Sequence, residues 1–142
     1  MSVPEFKRTQ GRLQIFAAAY ANCKHTINIC RNEKHFPKRN RWLLTNDIVA
    51  EAKEILRCCQ MANNITVNSY EDYAERRRYQ MEAKGHANTQ LTLMQIAYEL
   101  LNPGVSMEAW IELVDKFLAL LNGWMDSDRR RYSKYVPKEP QK

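Results

Sequence analysis

Apolar side chains recur at spacings of three and four along four stretches of this chain, and this period constrains the fold more than any other feature. The clearest stretch begins at Met107 and continues to Met125, directly after Ser106, a residue type that commonly caps helices. The period predicts an amphipathic helix with one buried face. That face consists of Met107, Trp110, Ile111, Val114, Phe117, Leu118, Leu121, Trp124 and Met125.

Two helices are predicted in the first half of the chain. The first extends from about Arg12 to Glu33. Pro37 separates it from the second, because proline suits the start of a helix but not its interior. The second helix ends at the polar, Asn-rich stretch of residues 61–69. The predicted apolar faces are Leu13, Phe16, Tyr20, Cys23, Ile27 and Cys30 in the first helix, and Leu44, Ile48, Ala52, Ile55, Cys59 and Ala62 in the second.

A third helix is predicted between Ser69 and Asn102. Ser69, followed three residues later by Asp72, resembles a capping box. The sequence Asn102-Pro103-Gly104 is a strong stop signal. The first half of this helix is polar almost all round. Its apolar positions lie in the second half, at Leu91, Met94, Tyr98 and Leu101.

Four amphipathic helices with short connections predict an all-α fold, an antiparallel up-down-up-down four-helix bundle. The chain of 142 residues is long enough for one domain with a real core. Only 4 Gly and 5 Pro are present, which favours helices over a sheet with many turns. We expect a flexible N-terminus at residues 1–11, the bundle at residues 12–128 and a basic flexible tail at residues 129–142.

The net charge of +6 is distributed in blocks of alternating sign, which produce strong local fields. In an antiparallel bundle, the basic residues near the start of helices one and three meet those at the end of helix four. A second basic group follows helix one. We expect these cations to bind a polyanion such as RNA or DNA. They are Arg8, Arg12, Lys38, Arg39, Arg41, Arg76, Arg77, Arg78, Arg129, Arg130 and Arg131.

Two structural alternatives compete with the binding interpretation. Cations at the end of a helix stabilise it through the helix dipole, and this alone is a reason for Arg129–Arg131. Acidic residues in the third helix, such as Glu75 and Glu82, are spaced to form ion pairs with Arg76–Arg78 along the helix surface. Tyr73, Tyr79, Tyr132 and Tyr135 lie near these cations as candidate stacking partners for bases.

The sequence contains no recognisable catalytic or metal-binding motif. No Glu is followed at the third position by His, and a glycine-rich phosphate loop is absent. Cys23, Cys30, Cys58 and Cys59 lack zinc-site spacing and are interpreted as reduced core thiols. We therefore predict a protein without enzymatic activity, cofactor or metal.

The N-terminal sequence MSVPEFKRTQ has no apolar segment typical of a signal peptide. The longest apolar run, at residues 15–21, is too short to span a bilayer. We therefore expect a cytoplasmic location and no membrane partner.

Several segments together resemble a known family: FPKRNRWLL at 36–44, EAKEIL at 51–56, MAN at 61–63, QIAYEL at 95–100 and LLNGWMDSDRRR at 120–131. Their order and spacing, over roughly residues 10–132, resemble the accessory variability determinant (Avd-like) proteins of bacterial and phage diversity-generating retroelements. These are related to the rRNA intervening-sequence proteins. Phe36, Pro37, Lys38 and Arg41 match the family's pattern at the start of helix two. Gly123, Trp124, Asp128 and Arg131 match its pattern at the end of helix four.

The resemblance implies a non-enzymatic partner of a reverse transcriptase, in the form of a basic homo-oligomer, typically a pentamer. Such proteins associate with the reverse transcriptase and with template RNA or DNA during error-prone cDNA synthesis. The long polar stretch at residues 71–88, which contains Arg76–Arg78, and the tail after Tyr132 depart from the family pattern. The alternative hypothesis is a structural or protein-binding bundle whose cations serve solubility or contact an acidic protein surface.

Overall fold

The computed structural model describes the backbone of residues 3–137 and the side chains of residues 14–137. Four long helices make up most of this region, and no strand occurs within it, so the predicted all-helical fold with four helices is confirmed. The helices are α1 (Val3–Arg31), α2 (Asn46–Asn63), α3 (Tyr70–Leu101) and α4 (Met107–Arg131). Shorter helical segments are the 3₁₀ turns Lys38–Asn40 and Ser133–Tyr135 and the π-helical turn Arg41–Thr45.

Three helix ends are fixed by residues that the sequence predicts: the start and end of α3 and the start of α4. The hydroxyl of Ser69 accepts a hydrogen bond from the backbone N–H of Asp72 at 3.1 Å, and Ser106 accepts one from Ala109 at 3.3 Å. Each cap satisfies a backbone N–H that has no partner within the helix. Asn102 ends α3 in the left-handed conformation, with φ of 42°, which Asn tolerates better than most residues.

The helices pack in a ring in which each contacts its neighbours in sequence, and α1 also contacts α4. At one end of the molecule, Ile15 of α1, Asn63 of α2 and Trp124 of α4 line one small cavity. At the other end, Nδ1 of His35 donates a hydrogen bond to the Pro103 carbonyl at 2.9 Å. These contacts are compatible with the predicted antiparallel order.

The predicted apolar faces of α2 and α4 lie in the core. All six predicted residues of the second helix are buried, and Ile48 and Ile55 are completely so. In α4, Trp110 and Phe117 are fully buried, and the other members of the predicted face are buried or half-buried. The spacing of three and four was sufficient here because nearly every buried position in these two helices is apolar.

The core face of α1 differs from the predicted one. Tyr20, predicted to be in the core, is 59% exposed, whereas Asn22 and Thr26 are completely buried. The buried face includes Ile15 and Ala19 together with Asn22 and Thr26, so polar residues occupy two of its core-facing positions. Leu13, also predicted for this face, lies outside the residues whose side chains are described.

A hydrogen-bonded network explains why polar side chains are stable in this core. The amides of Asn22 and Gln90 form two reciprocal hydrogen bonds, of 2.8 and 3.0 Å. Nε1 of Trp110 donates to the hydroxyl of Thr26 at 3.0 Å. Because buried polar groups are costly only when they lack partners, the network links α1, α3 and α4 without a large desolvation penalty.

Helices α1 and α4 are longer than the apolar pattern predicts. Helix α1 begins at Val3 instead of about Arg12, and proline at position 4 is well suited to its first turn. Helix α4 continues through Arg131, so Arg129–Arg131 form its last turn, where cations interact favourably with the helix dipole. Residues 138–142 of the predicted tail lie outside the described part of the chain.

Within residues 3–137, no helix has both the length and the apolar character needed to cross a bilayer.

Candidate nucleic-acid interface

Arg76 lies inside the molecule, between α3 and α4. Its side chain is only 3% exposed. Nε and Nη2 donate to the two carboxylate oxygens of Asp128 at 2.7 and 2.9 Å, a bidentate ion pair. Gln80 donates a further hydrogen bond to Asp128 at 2.8 Å, and Nη1 of Arg76 donates to the carbonyl of Ile65 at 3.3 Å. Both charged groups are therefore well satisfied.

Aromatic rings complete the surroundings of this guanidinium. Its central carbon lies 5.1 Å from the ring centroid of Trp124 and 5.8 Å from that of Tyr132. Both distances are in the range of cation–π attraction. Tyr132 in turn packs against the buried Tyr73, with 6.2 Å between ring centroids. Trp124 and Asp128, which the family resemblance singles out, thus hold the end of α4 against the start of α3.

The structure corrects the prediction for Arg76. Its guanidinium is occupied by Asp128 and shielded by Trp124, so it is not available to a phosphate in this conformation. Tyr73 is buried as well and is not a platform for bases. The sequence pattern failed here because α3 looks polar all round in this region, although Tyr73, Arg76 and Gln80 form its buried face.

Arg78 is exposed, and acidic neighbours accompany it along the helix. It forms ion pairs of 2.5 Å with Glu75 and 2.8 Å with Glu82, the pairing that the spacing allowed. The hydrogen bond from Arg78 lowers the pKa of Glu75 below its usual value. Because the three side chains are partly exposed, this network is weak and largely screened by solvent. It is typical of a solvated helix face.

A shallow groove between α3 and α4 brings basic residues of the two helices together. Its volume is about 420 Å³. Arg77 and Lys84 come from α3 and Arg129 from α4, so the predicted meeting of the third helix with the end of the fourth occurs here. One acidic residue, Asp126, also borders the groove. The remaining lining residues are Met81, Asn122 and Met125.

The last turn of α4 and the turn after it present four exposed cations: Arg129, Arg130, Arg131 and Lys134. Among the described side chains, none of the four forms an ion pair. Arg131 lies 5.8 Å from the ring centroid of Tyr132, and Lys134 lies 4.9 Å from that of Tyr135. We call Arg77, Lys84 and these four cations the basic end.

The second predicted basic group precedes α2. Lys38 forms an exposed ion pair with Glu33 at 3.4 Å, and Arg39 and Arg41 are exposed. The π-helical turn at this point also presents Trp42 and Leu43, which are 89% and 79% exposed. This surface, made of Arg39, Arg41, Trp42 and Leu43, combines positive charge with apolar area. We call it the α2 corner.

The remaining predicted residues have structural roles or lie outside the described region. Phe36 is buried and packs edge-on against Trp110, with 6.4 Å between ring centroids, and Pro37 precedes the 3₁₀ turn. Gly123 is exposed on α4, where an added Cβ would meet no atom within 4 Å. The side chains of Arg8 and Arg12 lie outside the described set.

Among the described residues, one group of side chains at the contact between α2 and α3 is of the metal-ligating type. Glu54, Cys58 and His86 each place one donor atom within 4.8 Å of the other two. Sequence spacing could not reveal this group, because His86 comes from another helix, far from Cys58 along the chain.

Comparison with protein families finds no match for this chain, and comparisons with curated proteins and with solved structures find none either.

Proposed function

We propose that this chain is a non-enzymatic, nucleic-acid-binding accessory protein that partners a reverse transcriptase in the mutagenic cDNA synthesis of a diversity-generating retroelement. The observation that carries the nucleic-acid part is the basic end. Its cations are exposed or half-exposed and come from α3, α4 and the turn after α4. Its four exposed cations have no carboxylate partner among the described side chains. Such a cluster attracts phosphates and releases their counterions on binding.

The geometry favours contacts to the phosphate backbone over reading of bases. Arg129–Arg131 project from the last turn of a helix, where side chains with several rotatable bonds reach phosphates in many arrangements. Two of the four tyrosines that were candidates for stacking, Tyr73 and Tyr132, already pack against each other. We therefore propose binding without strong sequence preference.

The reverse-transcriptase partnership is supported by the sequence resemblance, which also implies a homo-pentamer. We propose that the chain acts in the cytoplasm as an up-down-up-down bundle, as the N-terminal sequence and the helix pattern predict. The α2 corner is compatible with a protein contact. Exposed Trp and Arg residues are the types most often found at the energetic centres of protein interfaces.

The first experiment measures the affinity of the purified chain for a structured RNA at several salt concentrations. The variant in which Arg129, Arg130 and Arg131 are all replaced by Gln should fold normally and bind more weakly. Its slope of log K against log salt should be shallower by about 0.7–0.9 for each phosphate that the variant no longer neutralises. Arg78→Gln is the matched control, since Arg78 is exposed but already paired with Glu75 and Glu82. We expect it to bind almost normally.

Equal salt slopes for the wild type and the triple variant would contradict the role of the basic end. If the triple variant unfolds while its affinity for RNA persists, the three arginines instead stabilise α4 through the helix dipole. Circular dichroism separates these outcomes.

The alternative is a protein-binding bundle without a nucleic-acid role, which the exposed Trp42 and Leu43 favour. RNA binding at low salt, measured together with co-purification with the reverse transcriptase after nuclease treatment, distinguishes the two. Retention of the enzyme by a chain that binds no RNA at low salt would support the alternative. The substitution Trp42→Ser should then abolish co-purification of the reverse transcriptase with this chain.

A further inference from the structure

Five potential metal-ligating side chains face one another across the contact between α2 and α3. Glu54 and Cys58 are one helical turn apart on α2, and Glu51 lies about one turn before Glu54. Glu82 and His86 are one turn apart on the facing side of α3. Two neighbouring helices therefore direct a thiol, an imidazole and three carboxylates toward one region. None of these groups belongs to the basic end.

The imidazole of His86 is held in a defined orientation. Its Nδ1 donates a hydrogen bond to Oε2 of Glu51 at 2.5 Å. Its other nitrogen, Nε2, is 3.9 Å from Oε2 of Glu54. A neutral imidazole that donates from Nδ1 leaves a lone pair on Nε2, the nitrogen on the Glu54 side. This is the carboxylate–histidine arrangement that orients a histidine ligand toward a metal.

The thiol lies on the other side of the same region. Sγ of Cys58 is 3.9 Å from Oε2 of Glu82, and Cys58 is completely buried. Burial raises the pKa of this thiol, so in the absence of a metal it keeps its proton. A metal that binds there must displace that proton, as in other cysteine-containing sites.

One cation competes for this cluster. Arg57 forms an ion pair of 2.8 Å with Glu54, and its Nη2 lies 4.0 Å from Sγ of Cys58. Its hydrogen bond to Glu54 is the largest cause of the lowered pKa of that carboxyl group. The Arg57 side chain is 49% exposed, so it is free to turn into solvent when a metal takes its place. Surface pairs of this kind contribute little to stability.

We infer that Glu54, Cys58 and Nε2 of His86 bind a Zn²⁺ ion, with Glu51 positioning the imidazole. The combination of thiolate, imidazole and carboxylate suits zinc, whereas Mg²⁺ and Ca²⁺ prefer oxygen ligands alone. Glu82 or a water molecule supplies the fourth position. Because the ligands come from α2 and α3, the ion acts as a clip between these helices. The inference is independent of the proposed function.

The test uses the reduced, full-length chain after treatment with a chelator. We expect it to bind one Zn²⁺ per chain in competition with a chromogenic chelator, and Zn²⁺ to raise its melting temperature. Co²⁺ as a substitute should give the near-ultraviolet absorption of a cobalt–thiolate bond. The substitutions Cys58→Ser and His86→Ala should each abolish the shift in melting temperature. Cys58→Ser should also abolish the cobalt–thiolate absorption. His25→Ala is the control, because His25 is another half-buried histidine outside the cluster.

A positioning role for Glu51 predicts an intermediate effect. Glu51→Gln should weaken zinc binding by roughly 10–100-fold without removing the cobalt–thiolate absorption. Glu54→Gln, which preserves size, keeps the test valid if Cys58→Ser fails to fold, and it should also weaken binding. Absence of zinc binding by the reduced wild type, or equal binding by His86→Ala and His25→Ala, would overturn the inference.

Discussion

Arg76 and Asp128 show how one pair of residues connects the ends of two helices. The pair is bidentate and almost fully buried, with Gln80 as an additional donor to Asp128. Desolvation of two charges offsets much of their attraction, so the intact pair adds little net stability. Removal of one partner is different, because it leaves the other charge buried without compensation.

Asp128→Ala should therefore lower the free energy of unfolding by about 3–5 kcal/mol. Urea denaturation followed by circular dichroism measures this change. The double variant Arg76→Met, Asp128→Leu should recover most of the loss, since no uncompensated charge remains. Glu75→Gln, which breaks only an exposed pair with Arg78, is the control and should leave the free energy of unfolding almost unchanged. An Asp128→Ala effect as small as that of the control would mean that Arg76 finds solvent.

Cys30, near the end of α1, makes the free energy of unfolding depend on pH in the alkaline range. Burial raises its pKa from 9.0 to about 12. In the unfolded chain the thiol loses its proton above pH 9, whereas in the folded protein it remains protonated, so deprotonation favours unfolding. The contribution is complete below pH 9 and is lost as the pH rises toward about 12.

The measurement is the free energy of unfolding at several pH values from 8 to 11. Between pH 9 and 11, the wild type should lose stability more steeply than Cys30→Ala, by at most about 1.4 kcal/mol per pH unit. Cys30→Ala should be less stable at pH 8, because it leaves a small cavity. Parallel curves for the two proteins would show that Cys30 is accessible to solvent when folded.

At the scale of the helices, the success of the sequence analysis depended on how apolar each core face is. Every residue predicted for the faces of α2 and α4 is buried or half-buried, and Ser69 and Ser106 cap their helices as predicted. The buried faces of α1 and α3 contain Asn22, Thr26 and several other polar residues. The spacing of apolar residues does not reveal these buried polar positions, because their burial depends on hydrogen-bond partners from other helices.

The candidate sites show the same limit. The exposed cations Arg129–Arg131 follow from the sequence, since charges at the end of an amphipathic helix remain at the surface. The burial of Arg76 could not be predicted, because its partner Asp128 lies on another helix. The cluster of Glu54, Cys58 and His86 likewise exists only after α2 and α3 pack together.

On the scale of the whole molecule, the exposed apolar side chains of the α2 corner require an explanation. Trp42 and Leu43 expose 89% and 79% of their surface. Isolated exposed apolar residues are common in monomers, but two adjacent ones beside Arg39 and Arg41 are typical of a contact surface. The proposed homo-pentamer would cover some of this area.

Light scattering on the purified chain tests that proposal. We expect a mass corresponding to five copies of the 16.8 kDa chain. Trp42→Ser should reduce the assembled mass if the α2 corner joins the copies, whereas Tyr98→Ser, at another exposed aromatic position, should not. A single species of 16.8 kDa at micromolar concentration would contradict the pentamer and leave the α2 corner to a different partner.

The buried Arg76 and the exposed arginines at the end of α4 differ in how well they tolerate substitution. The arginine that holds α3 and α4 together is buried, whereas Arg129–Arg131 are in solvent. Substitutions in the exposed set alter the charge at this end of the bundle with little effect on folding. Variants that differ widely in the proposed binding of a polyanion are therefore accessible by single substitutions, each on a bundle that remains folded.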